Sequence, residues 1–121
     1  MDISNLVSNV NLESLVKIDE ERFAICNIKI DDISFVLEED NIILFYKIST
    51  ISDVKLKNNI VVNFVFYSKE NKIMDILDSR LYQNDFYKYE IIKETIYFNN
   101  KHALKSFCSN ISSIKIYVKN D

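Results

Sequence analysis

At 121 residues the chain has room for one hydrophobic core and not two. With 48% hydrophobic and 27% charged residues it can offset its chain entropy by burial, which excludes wholesale disorder, and a net charge of −3 without a basic stripe argues against nucleic acid as a partner. The chain contains no glycine and no proline, and the missing glycine excludes the dinucleotide fingerprint, the P-loop, the EF-hand calcium loop and the hydrolase nucleophile elbow, all of which need an unhindered tight turn.

The first twenty residues carry Asp2 and Glu13 rather than a basic cluster, and Asn5, Ser8, Asn9 and Asn11 break each apolar stretch. No signal peptide is expected, and no run of about eighteen apolar residues predicts a membrane span. The expected compartment is the cytoplasm, where Cys26 and Cys108, the only two cysteines, stay as buried thiols.

Ile3, Leu6, Val7 and Val10 behind Asp2 match a helical face, predicting a short N-terminal helix within residues 1–12. After it, clusters of Asn, Asp and Ser mark turns that cannot be made by glycine: Asp19 to Glu21, Asp31 with Asp32, Glu39 to Asn41, Asn58 with Asn59, Lys69 to Asn71, Gln83 to Asp85, Asn99 with Asn100, and Ser109 with Asn110.

The segments between these turns are rich in Ile, Val, Phe and Tyr and read as strands. The first runs from Phe23 to Ile30, with Phe23 and Ile25 on one face and Ala24, Cys26, Ile28 and Ile30 on the other. Phe35 and Leu37 follow, and the run from Ile42 to Ile48 predicts a central strand covered on both sides. Ile60, Val62, Phe64 and Phe66 alternate with Val61, Asn63, Val65 and Tyr67, so the Phe side faces the core. Ile73, Ile76, Leu77 and Leu81 fit a helix or a strand, and their place after a hairpin turn favours the strand. From Tyr87 the alternation Tyr87, Tyr89, Ile91 resumes out of phase at Ile92, Ile96 and Phe98, predicting a bulge near Ile91. Leu104, Phe107 and Cys108 share a short helical face, and Ile114, Ile116 and Val118 alternate with Lys115, Tyr117 and Lys119 in a closing strand.

The segment from Ile60 to Lys72, IVVNFVFYSKENK, resembles the strand and charged turn of bacterial immunoglobulin-like sandwiches of the FxLYD type, and Asp85 to Ile91 and the closing SSIKIYVK resemble their later strands. Those families carry glycine where this chain has Lys69, Glu70 and Asn71, and many are attached to exported proteins. The resemblance covers about the second half and implies a fold and a binding role, with no functional residue carried over. The expected architecture is a single domain over residues 1–121, mainly all-β: an antiparallel, immunoglobulin-like β-sandwich of about seven strands with one or two short helices.

Catalytic chemistry has little to stand on. His102 is the only histidine, so a dyad with Cys108, Ser106 or Ser109 would rest on it, and an ordinary surface histidine near a turn is the simpler reading. One His and two distant Cys cannot make a structural zinc site, and Asp75, Asp78 and Asp85 do not define a cation site; no metal and no cofactor is expected. The chain is not expected to be an enzyme.

Binding has two candidate surfaces. Between Ile18 and Asp40, eight acidic residues face only Arg22 and Lys29; Asp31, Asp32, Glu38, Glu39 and Asp40 would attract a partner protein with a basic surface. The ordinary alternative is that these acids fill solvated turns. Five tyrosines gather late in the chain, and Tyr87, Tyr89 and Tyr117 are expected on outward faces, where tyrosine supplies contact area at small entropy cost; the alternative is the rim of an ordinary β core. The expected function is a non-catalytic protein-binding module, such as a small inhibitor or immunity-type protein. The other readings are a small hydrolase and a structural subunit that self-associates through a free sheet edge, as a homo-oligomer.

Overall fold

The computed structural model describes residues 11–121, so the helix expected around Ile3 to Val10 lies outside the described residues. Seven strands form two sheets: β1 (Val16–Ile18), β2 (Ile28–Leu37), β3 (Asn41–Thr50), β4 (Ile60–Ser68), β5 (Ile73–Leu81), β6 (Tyr89–Tyr97) and β7 (Ile111–Asn120). The four-stranded sheet has the order β1-β7-β4-β5 and the three-stranded sheet β2-β3-β6. Two helices, α1 (Glu20–Ile25) and α2 (Lys101–Asn110), complete the fold with a 3-10 turn at Leu12–Leu15.

The inner faces follow from the period of two. Ile42, Leu44, Tyr46 and Ile48 of β3 face Ile60, Val62, Phe64 and Phe66 of β4 and Ile114, Ile116 and Val118 of β7 across one continuous core. The Tyr46 and Phe64 rings meet edge to face with centroids 5.2 Å apart, which ties the sheets at mid-height. At one end α2 lays Leu104, Phe107 and Cys108 on the core, with the Phe107 ring 5.7 Å from Phe66 and 5.2 Å from Phe98. Near the other end α1 contributes Phe23 alone.

The all-β sandwich, the seven strands and the short helix around Leu104 to Cys108 are as the sequence predicts; several local expectations are corrected. Residues 20–25 are helical rather than the start of a strand. Asp19 caps the helix by accepting from the Arg22 amide, Glu20 and Glu21 sit favourably in its first turn, and Asn27 ends it in the left-handed conformation at φ 62°. Asp31 and Asp32 make no turn: they sit inside β2 at a bulge, which shifts the phase so that Ile28 and Ile30 before it and Ile33, Phe35 and Leu37 after it all face inward. The bulge expected near Ile91 does not exist, because β6 pairs with β3 without a break from Tyr89 to Tyr97. Tyr89 and Ile91 belong to its outer face and Ile92 and Ile96 to its inner face, so a strand apolar on both sides imitates a phase change. β3 is central in its sheet, yet its outer residues Ile43, Phe45 and Lys47 are only half-buried and have no second layer over them among the described residues. The sheets are not wholly antiparallel either, since β1 runs parallel to β7.

Both residues with positive φ among those described, Asn27 and Asn71, are asparagines. Asn is the next most tolerant residue of that region after glycine, which this chain lacks.

Candidate functional site

The outer face of the three-stranded sheet carries exposed apolar residues that no second layer covers among the described residues. Pairing across β2, β3 and β6 sets its rows: Lys29, Ser49 and Tyr89; Asp32, Lys47 and Ile91; Ser34, Phe45 and Lys93; Val36, Ile43 and Thr95. Tyr89 is 62% exposed, Ile91 66% and Tyr97 78%, and Val36 is also exposed beside half-buried Ile43 and Phe45. Scattered exposed apolar residues are ordinary; several on one sheet face that also carries a half-buried Phe and Ile make a patch. Lys47 places its ammonium 4.9 Å from the centre of the Tyr89 ring, leaving the rest of that side chain to solvent.

The residues singled out from the sequence divide between places. Asp31 and Asp32 lie mid-strand, while Glu38, Glu39 and Asp40 form the β2–β3 turn about 20 Å further along at the rise of a strand. Cations answer several of them: Lys29 of the same strand lies 3.8 Å from Asp31, Lys101 of α2 lies 3.4 Å from Glu39, and Asp32 pairs across the ladder with Lys47. The acidic run in the sequence is therefore not one acidic patch. Tyr87, exposed beside Lys88, and Tyr89 lie close together at one end of β6. Tyr117 belongs to the outer face of the other sheet, with the Arg22 guanidinium 5.7 Å from its ring; desolvation and a hydrogen bond with Tyr67 hold its hydroxyl above the ordinary pKa. Ile91, Val36 and Phe45 were not singled out as surface residues, although the double apolar alternation of residues 89–97 carries the signal.

Between the sheets runs one polar chain. The Tyr46 hydroxyl, 1% exposed with its residue, donates to Ser79 Oγ at 2.6 Å, and Ser79 Oγ donates to Glu94 Oε1 at 3.0 Å. Burial, reinforced by the nearby charges of Glu94 and Glu90, pushes the Tyr46 hydroxyl far above its ordinary pKa, so it stays a neutral donor. Glu90 and Glu94 share the inward register of β6 with Ile92 and Ile96, and neither forms an ion pair among the described residues.

His102 and Cys108 are both on α2 but on different faces, His102 exposed and Cys108 buried. Burial raises the Cys108 thiol to about 11 and also raises Cys26, which disfavours the thiolate a nucleophile needs. Cys26 lies beside Asn120 at the far end of β7 from Cys108, so the two thiols sit at opposite ends of a strand roughly 30 Å long. An open recess of about 280 Å³ beside Cys26, lined in part by Asn27, Ser52, Lys55, Lys57 and Asn58, holds no carboxylate or histidine to act as a base. Among the described residues no three His, Cys, Asp or Glu side chains converge to hold a metal, and no helix is long and apolar enough to cross a membrane.

No known family model matches the chain, and comparison with curated proteins and with solved structures finds no match either.

Proposed function

We propose that this chain is a non-catalytic protein-binding module, of the inhibitor or immunity type, working through the outer face of its three-stranded sheet. The observation that carries this reading is the exposure of Tyr89, Ile91 and Tyr97 together on the outer side of β6, on the same sheet face as half-buried Ile43 and Phe45 of β3. Fully burying one such side chain is worth about 1.5–3 kcal/mol, so three or four supply the central anchor of a specific interface. The acidic β2–β3 turn of Glu38, Glu39 and Asp40 borders this face and would steer a basic partner toward it. An immunoglobulin-like relationship belongs to the same proposal, supported by the division into four and three strands, from which the parallel β1–β7 pair departs.

The test is capture of a partner from lysates of the source organism and of its hosts or competitors, by the wild type and by two variants. Ile91→Asp places a charge in the exposed apolar row of β6 and is expected to abolish capture. Reversing Glu38, Glu39 and Asp40 to lysine is expected to slow association and weaken its salt dependence. Capture that survives Ile91→Asp unchanged removes this face from the reading.

A further inference from the structure

The four edge strands of the two sheets are not equally protected. β1 has only three residues, β2 is bulged at Asp31 and gives its Phe35 amide to Glu13 Oε1 at 2.9 Å, and β5 changes register opposite Phe66 and Tyr67. Short length, bulges and side-chain caps are the usual means of keeping another strand away. β6 has none of these: its nine residues pair with β3 in unbroken register.

The direction of its free backbone groups follows from that register. Thr50 N donates to Lys88 O and Phe98 N to Asp40 O, so the even-numbered residues of β6 direct their amides and carbonyls to β3. The odd-numbered residues Tyr89, Ile91, Lys93, Thr95 and Tyr97 turn theirs to the edge, which no other strand among the described residues pairs with, while their side chains lie on the outer face described above. On the inner side the same edge presents Glu90, Ile92 and Glu94, two carboxylates with an isoleucine between them.

Resting on the reading of this chain as a binding module, we propose that its partner contributes an extended segment that adds to the free edge of β6. That segment carries Lys or Arg at positions i and i+4 with an apolar residue at i+2. In an added strand, side chains directed to the inner side stand opposite Glu90, Ile92 and Glu94 in turn, so the two carboxylates each meet a cation and Ile92 meets the apolar residue. Glu94 is already oriented by Ser79 Oγ, itself held by Tyr46, so one end of the charge pattern is fixed before binding. The same carboxylates disfavour a second copy at this edge, because antiparallel pairing of two β6 strands brings the glutamates of each copy close to those of the other.

The experiment uses the full chain, labelled with ¹⁵N, and a blocked nine-residue peptide of threonine with lysine at its third and seventh positions and valine at its fifth. The control peptide carries glutamate in place of both lysines. The lysine peptide is expected to bind, to protect the amides of Ile91, Lys93 and Thr95 from hydrogen exchange, and to weaken as salt rises. Glu90→Gln and Glu94→Gln are each expected to lower its affinity about tenfold, the scale of one charge-assisted hydrogen bond, without disturbing the Ser79 contact that Gln can still accept. Thr95→Pro removes one edge-facing amide and no ladder bond, and is expected to abolish binding while leaving the urea midpoint close to wild type. Equal binding of the two peptides, protection at another edge, or absence of binding overturns the proposal. If the peptide fails while Ile91→Asp still abolishes partner capture, the edge assignment falls and the binding-module reading stands; failure of both removes both.

Discussion

The Tyr46–Ser79–Glu94 chain allows an asymmetric prediction about stability. Ser79→Ala strands the Tyr46 hydroxyl in the core, where its residue is 1% exposed; an unsatisfied buried hydroxyl costs about 1–3 kcal/mol. Tyr46→Phe removes the same hydrogen bond from the other side, but Ser79 Oγ keeps its bond to Glu94, so the expected loss is only about 0.5–1 kcal/mol. The double variant leaves no buried hydroxyl unpaired and should be more stable than Ser79→Ala alone, by a coupling on the order of 1 kcal/mol. Urea unfolding followed by far-ultraviolet circular dichroism suits a chain without tryptophan, and a difference of about 1 kcal/mol moves the midpoint by roughly 0.5 M. A Ser79→Ala variant no less stable than Tyr46→Phe, or a double variant that simply sums the single losses, would refute the reasoning.

Phe23→Ala empties the only buried position of α1 and is expected to destabilise the fold by about 3–4 kcal/mol, read from the same urea transitions. Asn71→Gly, at φ 62° in the β4–β5 turn, should leave stability within about 0.5 kcal/mol of wild type, since glycine adopts that region freely. Asn27→Gly, at the same φ, should lose about 1–2 kcal/mol more, because the Asn27 side chain also accepts from Ser52 N and Ser52 Oγ and donates to Val54 O; equal effects at the two sites would contradict the assigned bonds. On alkaline titration, the unfolded chain releases the Cys108 proton near 9.0 and the folded chain near 11, and Tyr46 is likewise raised above 10.0. The stability the Cys108 thiol contributes is complete below about pH 9 and is lost as pH rises toward 11, whereas that of Tyr46 begins to fall only above about pH 10 and goes on falling beyond that window. Urea midpoints across that window should fall, and Cys108→Ala should flatten the early part of the decline.

What could be read from the sequence depended on how many faces of an element were apolar. β7 buries one clean alternation from Ile114 to Val118, and β4 keeps Ile60, Val62, Phe64 and Phe66 on the core face although Val61 and Val65 opposite are buried as well; the core residues of both were legible without a structure. β6 carries apolar residues on both faces, and a period-of-two argument turned that into a false bulge. β2 erred in the opposite direction: its true bulge falls on Asp31 and Asp32, which look like a turn because the residues that fill turns also tolerate bulges. α1 was hidden by its brevity, with one buried residue and no helical stripe; its cap Asp19 and its stop Asn27 were the available signals. The candidate surface was legible as to Tyr87 and Tyr89, but the acidic residues were grouped by proximity along the chain, and the cations that answer them come from β3 and α2.

β7 is the last of the seven strands along the chain, yet it lies inside its sheet between β1 and β4. During vectorial synthesis, β1 has no neighbour and β4 only its hairpin partner β5 until residues 111–120 have left the ribosome. The three-stranded sheet, complete once β6 emerges, meanwhile exposes the inner face of Ile42, Leu44 and Ile48 to solvent or to a chaperone. Nascent chains arrested before residue 111 should accordingly be captured by hydrophobic holdases, and those extended beyond residue 120 and clear of the exit tunnel should be released.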